Sequence, residues 1–267
     1  MNTTMLQEIL AVPTHYRHTG LMVEWLQNKL LAHNIPFYTD HLGNVYATKG
    51  HTSGFYPAVC SHTDSVHPVQ PMRVYEESGC FVAYGENGQR IGLGGDDKAG
   101  VYVCVELLLS MPVLKAAFFV DEEIGCLGSR QADPAFFEDV GYCIEFDSPN
   151  NDILSFSCDG AQLCEEGGAL LKIAEPLLTK FGATKWQWHP FTDVAQLRRK
   201  FDFECLNLPC GYYHMHSERE FVCIKDTARA LEMGKNLIQA LGCNRYFMPK
   251  GDGIAKTERL HVTNLRC

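Results

Sequence analysis

The segment from Leu93 to Val101 places the strongest constraint on how this chain folds. It reads Leu-Gly-Gly-Asp-Asp-Lys-Ala-Gly-Val and stands directly before an apolar run that predicts a buried helix from Lys98 to Ser110. Glycines let the backbone turn sharply, and carboxylates are stabilised at the positive end of a helix. Taken alone, the aspartate pair is most simply explained as a helix N-cap. Other histidine and carboxylate residues of the chain favour a different explanation.

Four further segments carry such residues where a predicted strand ends or a loop begins. They are Ser61-His62-Thr63-Asp64, Asp121-Glu122-Glu123, Phe146-Asp147-Ser148 and Met215-His216-Ser217-Glu218. In open α/β sheets, functional groups collect beyond the carboxyl ends of the strands, so we expect these segments to meet. Imidazoles and carboxylates without thiolates are typical of a hydrolytic zinc site rather than a structural one. The set exceeds the needs of one zinc ion and suits two ions that share a carboxylate.

Two carboxylates of these segments are expected to have roles other than metal binding. Glu122 adjoins a candidate ligand but is expected to point elsewhere. It would take a proton from the attacking water and pass it to the leaving amine. Asp64 follows His62 by two residues, a spacing that allows it to hydrogen-bond the distal imidazole nitrogen and fix its tautomer.

The order of predicted elements indicates the fold class. Strands and helices alternate along the chain, which predicts a three-layer α/β/α domain with a mixed, largely parallel central sheet. A small antiparallel excursion is expected between residues 73 and 93, and a helix from Gln162 to Phe181. We find no internal repeat or linker, so residues 1–267 are predicted to form a single catalytic domain.

Composition narrows the possible partners and the compartment. The net charge of −9 and the absence of a basic run argue against nucleic acid as a partner, and no apolar run is long enough to predict a membrane span. The twelve cysteines are scattered without a Cys-x-x-Cys pair, and several lie in apolar strand-like runs. This pattern favours free thiols in a reducing compartment, and hence a cytoplasmic protein.

The motifs resemble those of the di-zinc exopeptidase superfamily, which includes peptidase T, the glutamate carboxypeptidases and the co-catalytic zinc aminopeptidases. The matching segments are His62-Thr63-Asp64, Gly94-Gly95-Asp96-Asp97-Lys98-Ala99-Gly100, Glu122-Glu123-Ile124-Gly125, Asp147 and His216-Ser217-x-x-Glu220. The resemblance implies that Asp96 bridges two zinc ions. It implies further that His62 and Asp147 complete one site, and that Glu123 and His216 complete the other. It also implies that Glu122 is the general base and that Asp64 orients His62.

The chain departs from part of this family in one respect. Peptidase T and its carboxypeptidase relatives insert a second domain between the last aspartate and the last histidine ligand, whereas only residues 148–215 separate Asp147 from His216 here. The oxyanion-stabilising histidine and the dimer contacts of that insert are therefore expected to be missing or replaced. Tyr212 and Tyr213 are interpreted as core or rim aromatics. Either hydroxyl could replace the missing histidine as the donor that stabilises the oxyanion.

The sequence therefore predicts a metallo-exopeptidase that carries two divalent ions, expected to be Zn²⁺, and removes amino-terminal residues from small peptides. A di-zinc amidohydrolase, deacylase or carboxypeptidase acting on an acylated amino acid or related small substrate is the alternative. An inactive binding protein on the same scaffold is a third interpretation. Arg198 and Arg199 are interpreted as a solvated helix face and Glu218 and Glu220 as loop-capping or solvated residues, while a homo-oligomer is left open.

Overall fold

The structure, a computed structural model, describes residues 1–189 and 191–250. In chain order its strands are β1 (Phe37–Thr39), β2 (Val45–Lys49), β3 (Tyr56–His62), β4 (Met72–Glu77), β5 (Cys80–Gly85), β6 (Arg90–Ile91), β7 (Leu114–Phe119), β8 (Val140–Ser148), β9 (Ile153–Cys158), β10 (Ala161–Gln162), β11 (Lys185–His189), β12 (Glu204–Pro209), β13 (Tyr212–Tyr213) and β14 (Phe221–Cys223). The helices are α1 (Thr3–Ala11), α2 (Gly20–Ala32), α3 (Gly95–Ser110), α4 (Leu127–Arg130), α5 (Pro134–Phe137), α6 (Ala169–Lys180), α7 (Asp193–Lys200) and α8 (Ile224–Leu241).

The main sheet has the strand order β1-β2-β7-β3-β8-β12-β9-β10, with β11 also paired to β9. The four central strands β7, β3, β8 and β12 are mutually parallel, whereas β1, β2, β9 and β10 join through antiparallel pairs. Parallel central strands end at the same edge, so the loops after β3, β7 and β8 meet there. The predicted mixed sheet with a parallel centre is confirmed.

Helices cover both faces of this sheet, as the alternation along β3 shows. Val59 packs into the apolar core formed with α1, α2, α3, α6 and α8, whereas Ala58 and Cys60 face the core formed with α5 and α7. Neighbouring strand residues point to opposite faces, so a strand that is buried along its whole length, such as β3, is covered on both faces. The predicted three-layer α/β/α arrangement is confirmed.

The antiparallel excursion is larger than the sequence indicated. Strands β4, β5 and β6 join β13 and β14 in a second, five-stranded sheet. Its order is β13-β14-β5-β4, and β6 also pairs with β5. The connection between β13 and β14 carries His216, so this sheet brings a residue from late in the chain to the glycine-aspartate turn.

The predicted helix from Gln162 to Phe181 is wrong in its first part. Gln162 ends β10, and α6 begins only at Ala169. Gly167 has a φ of +65°, a left-handed conformation that interrupts a helix. In the described residues, no helix combines the length and apolar character needed to cross a membrane. The extent of the catalytic domain over residues 1–267 stays a prediction, since residue 190 and residues 251–267 lie outside the described part.

Candidate metal centre

His62 is the last residue of β3 and is almost fully buried. Its Nδ1 lies 3.4 Å from Oδ1 of Asp64. The two oxygens of Asp64 accept hydrogen bonds from the backbone N–H groups of Glu122 (3.0 Å) and Glu123 (3.1 Å). Asp64 therefore lies beside the imidazole, and its role in orienting His62 stays a prediction. It also holds the turn after β7 that carries the two glutamates.

Asp96 lies in the glycine-aspartate turn at the start of α3. Gly94 has a φ of +68°, and a Cβ on Gly95 would lie 2.6 Å from Cγ2 of Val222, so both positions require glycine. Asp96 and Asp97 have non-helical backbone angles, so the regular helix begins at Lys98 as predicted. The turn thereby directs the Asp96 carboxylate away from the helix and towards the loops of the sheet edge.

The two oxygens of Asp96 contact two different histidines. Oδ1 lies 3.2 Å from Nε2 of His62, and Oδ2 lies 3.1 Å from Nε2 of His216. Asp147 Oδ1 lies 3.5 Å from His62 Nε2, while Glu123 Oε2 lies 3.1 Å from His216 Nε2. Two groups of possible ligand atoms result, His62/Asp96/Asp147 and Asp96/Glu123/His216, each with its atoms within 4.8 Å of one another. The structure thus brings all five candidate ligands together, and their role as ligands stays a prediction.

The donor set and its charge fit divalent metal ions. Three carboxylates pair with two imidazoles at this centre, and Oε1 of Glu123 is buried without a hydrogen-bond partner. A buried carboxylate oxygen is costly unless a proton, a donor or a metal compensates for it. Imidazole nitrogen and carboxylate oxygen are the ligands of catalytic zinc sites. The residues present therefore suit zinc or a similar ion.

The pKa shifts indicate the same need for positive charge. Hydrogen bonds with Asp96 and Glu123 raise the pKa of His216 to about 10. Burial raises the pKa of Asp147 to about 7, against the opposing effect of its hydrogen bond with His62. Burial would lower the pKa of His62, but hydrogen bonds with Asp147, Asp64 and Asp96 raise it well above its ordinary value. Without metal ions, the centre therefore retains protons that bound cations would replace.

Glu122 is buried beside this centre without belonging to either ligand group. Its Oε2 lies 3.9 Å from Nε2 of His62, and its Oε1 accepts a weak hydrogen bond from Sγ of Cys126 at 3.6 Å. Burial raises the pKa of Glu122 well above its ordinary value. A buried carboxylate that accepts protons readily and adjoins the ligands has the properties of a general base.

A second layer of side chains holds Asp147. Tyr212 donates to its Oδ1 (3.4 Å), and Asn207 accepts from its backbone N–H (3.0 Å). Thr192 Oγ1 lies 3.3 Å from its Oδ2, while the Thr192 hydroxyl donates to Oε2 of Glu145. Tyr212 is 1% exposed and its hydroxyl is bound to Asp147. The hydroxyl of Tyr213 donates to Asp226 instead. In this structure neither hydroxyl is therefore free to serve as the oxyanion donor.

Glu220 is a positioning residue whose importance the sequence analysis missed. It is fully buried rather than solvated, and its Oε2 accepts from the backbone N–H groups of Leu93 (3.0 Å) and Gly94 (2.6 Å). Its Oε1 accepts from the N–H of Asp96 at 3.2 Å, and His67 Nε2 lies 2.9 Å from its Oε2. Glu220 thus ties the turn carrying Asp96 to the segment carrying His216. Its place in the His216-Ser217-x-x-Glu220 motif was the signal for this role.

The interpretation of Arg198 as part of a solvated face is wrong. Its side chain is fully buried and donates to the backbone carbonyls of Gln162, Phe201, Phe203, Met248 and Pro249. Arg199 is partly exposed and pairs with Asp159. The guanidinium of Arg198 packs the end of α7 against neighbouring segments, and each of its three nitrogens donates to at least one of these carbonyls.

No protein-family model matches the chain, and no curated protein matches it. Solved structures do match. The aminopeptidase PepT from Bacillus cereus ATCC 10987 superposes with a TM-score of 0.76 at 14% identity, over 90% of this chain and 97% of that one. A tripeptidase from Staphylococcus aureus subsp. aureus Mu50 gives 0.75 at 13% identity, over 89% and 96%. The TET1 peptidase of Pyrococcus horikoshii gives 0.66 at 12% identity, over 88% and 98%.

These likenesses show that the chain has the α/β fold of these peptidases. The resemblance to the di-zinc exopeptidase superfamily is confirmed at the level of the fold. In the described residues between Asp147 and His216, the strands belong to the two sheets, and α6 and α7 pack on α8 and on the main sheet. The expected absence of an inserted domain is therefore confirmed as well.

Proposed function

We propose that the chain is a metal-dependent exopeptidase that removes the amino-terminal residue from small peptides. The observation that carries this proposal is the position of Asp96, whose two oxygens face the two separate ligand groups. His62, Asp96 and Asp147 would hold one divalent ion, and Asp96, Glu123 and His216 the other, with Zn²⁺ the expected metal. Two such ions polarise the scissile carbonyl and lower the pKa of the attacking water.

Glu122 supplies the proton transfer in this proposal. Its buried carboxylate takes a proton from the attacking water and delivers it to the nitrogen of the leaving peptide. Asp64 keeps the His62 imidazole oriented through Nδ1 and holds the backbone of the Glu122–Glu123 turn. The Asp64 carboxylate thus positions the general base Glu122 and two proposed ligands, His62 and Glu123. The buried position of Glu122 limits competing hydrogen bonds from solvent.

The distribution of charge favours an amino-terminal substrate group. The described centre is rich in carboxylates, which attract an α-ammonium group electrostatically. A carboxypeptidase requires a donor for the substrate carboxylate, usually an arginine fork. Arg198 does not fill this role, because its buried guanidinium donates to five backbone carbonyls. The matching structures named aminopeptidase and tripeptidase support the same assignment.

The substrate test uses three versions of one tripeptide: unblocked, amino-terminally acetylated, and carboxyl-terminally amidated. The zinc-loaded chain is expected to cleave the unblocked and amidated peptides and to leave the acetylated one intact, with products followed by mass spectrometry. Cleavage confined to peptides with a free carboxyl end would establish a carboxypeptidase. Release of acetate from the acetylated peptide would establish a deacylase, and either result overturns the proposal.

The metal test uses elemental analysis of purified variants. The parent chain is expected to bind about two zinc ions, Asp96→Ala to lose both, and Glu123→Ala to keep one, because only Asp96 belongs to both ligand groups. Glu218→Gln, an exposed glutamate two residues from His216, is the matched control and is expected to keep both. A single ion that survives Asp96→Ala would contradict the shared-carboxylate arrangement.

Two further proposals concern the state of the protein. Buried cysteines of the central sheet, such as Cys60 and Cys143, are free thiols, which supports a cytoplasmic location. The TET1 peptidase of Pyrococcus horikoshii can assemble into a tetrahedron or a large octahedral shell. We therefore propose that this chain also self-associates, and light scattering of the zinc-loaded protein tests it: a mass of one chain would refute it.

A further inference from the structure

Cys80 and Cys223 lie directly opposite each other in the second sheet. They are register partners in the antiparallel pair of β5 with β14. At the next position, the N–H of Ile224 donates to the carbonyl of Gly79 at 3.1 Å. Hydrogen-bonded and non-hydrogen-bonded pairs alternate in an antiparallel ladder, so the cysteines occupy a non-hydrogen-bonded pair. The Cα atoms of such pairs are about 4.5 Å apart, within the range that a disulfide spans.

The surroundings of these two thiols differ from those of a buried pair, Cys60 and Cys143. Cys80 and Cys223 are both partly exposed, so a small reagent reaches them. Cys60 and Cys143 also approach closely, with their Sγ atoms 3.6 Å apart, but both are fully buried in the central sheet. The chain therefore contains an accessible thiol pair and an inaccessible one, which serves as an internal control.

We propose that Cys80 and Cys223 form a reversible disulfide by exchange with a small-molecule disulfide. One protein thiolate attacks the reagent, forms a mixed disulfide and releases one small thiol. The second protein thiol loses its proton, attacks the protein sulfur of the mixed disulfide and releases the second small thiol. The protein thus loses two hydrogens while the reagent is reduced to two thiols.

This bond would act on the segment that carries His216 and Glu220. Strand β14 is only three residues long and is joined to β5 through two register pairs. Cys223 follows Glu220 by three residues, and Glu220 holds the backbone of the Asp96 turn. A covalent link between β14 and β5 therefore restrains the hairpin formed by β13 and β14 and the loop that joins these two strands. The disulfide itself does not depend on the proposed peptidase function.

Peptide mapping of the zinc-loaded full-length chain tests the proposal. Burial raises the pKa of the Cys80 thiol to about 11, so exchange with oxidised glutathione is run at about pH 8.5, where thiolates are more abundant. After free thiols are alkylated, the Cys80–Cys223 link is expected to appear before any other and to disappear with dithiothreitol. Cys80→Ser and Cys223→Ser are expected to abolish it, whereas Cys60→Ser leaves it intact.

A second measurement tests the effect on the hairpin. Hydrogen exchange of residues 212–223 is expected to slow at least about tenfold in the oxidised chain, because a cross-link between distant residues limits local opening. The proposal is overturned if another pair closes first, if both cysteines stop at mixed disulfides with glutathione, or if exchange is unchanged. Mapping needs no enzymatic activity, so a chain without peptidase activity that still forms this link refutes the proposed function alone.

Discussion

Replacing Glu220 with glutamine should loosen the turn that carries Asp96. The carboxylate accepts from the N–H groups of Leu93, Gly94 and Asp96 and contacts His67. A glutamine side chain fits the same space but replaces one accepting oxygen with an NH₂ group. At least one buried N–H must then face another donor, whichever way the amide is turned.

The magnitude follows from these contacts. If the amide oxygen takes the place of Oε2, only the N–H of Asp96 loses its acceptor, and a lost bond to a charged group costs about 1.5–3 kcal/mol. The bonds that remain are also weaker, since a neutral acceptor replaces a carboxylate. We expect Glu220→Gln to lower the free energy of unfolding by about 2–4 kcal/mol.

Urea denaturation of the metal-free protein measures this loss without interference from ligand binding. Glu218→Gln makes the same chemical change at an exposed position of the same loop, and it is expected to stay within about 0.5 kcal/mol of the parent. Equal stability of the two variants would refute the conclusion that Glu220 fixes the turn. In the zinc-loaded protein, a misplaced Asp96 should also weaken metal binding in Glu220→Gln alone.

Three further outcomes are expected. Glu122→Gln keeps the size of the side chain but removes its basicity, so kcat should fall by about 10²–10⁴-fold while both metal ions are retained. Near-parental turnover of this variant would exclude Glu122 as the general base. The metal-free chain should become less stable as the pH rises from about 5 to about 9, whereas the zinc-loaded chain should not. The pKa values of Asp147 (about 7) and His216 (about 10) in the folded protein are both raised above their values in the unfolded chain. The folded state therefore holds these protons more tightly, and its stability falls as the pH rises and each group deprotonates. A Tm that rises with pH would contradict this. Arg198→Ala should lower the free energy of unfolding, measured by urea denaturation, by about 3–5 kcal/mol, because it leaves several buried carbonyls without donors. Arg199→Ala should change it by less than about 1 kcal/mol. Similar values for the two variants would refute the structural role of Arg198.

Local sequence was sufficient for the elements that place His62, Asp96 and Asp147. The end of a strand near His62 and the start of the regular helix at Lys98 were both predicted. Strand β8 extends through Asp147, which the sequence placed just after the strand. These features depend on side-chain periodicity and on glycine conformations, both of which are visible in a single chain.

Burial between distant segments was not predictable in the same way. Glu220 and Arg198 are charged residues in polar stretches, and charged residues are mostly exposed, so the sequence favoured a solvated position for each. Both are buried because distant backbone groups satisfy them: the Asp96 turn for Glu220, and carbonyls as far away as Pro249 for Arg198. The local sequence pattern around each residue does not indicate these distant backbone partners.

The sequence by itself determined which ligand-type side chains the candidate centre can contain, because the identities of these residues and the ends of their strands are local properties. From these it indicated five ligands, a general base and an orienting carboxylate. The tertiary structure alone decided that each oxygen of Asp96 faces a different histidine, and that Cys80 lies opposite Cys223. Both depend on the register of strands and loops that are far apart in the chain, and register is set by the packing of the whole fold rather than by any one segment.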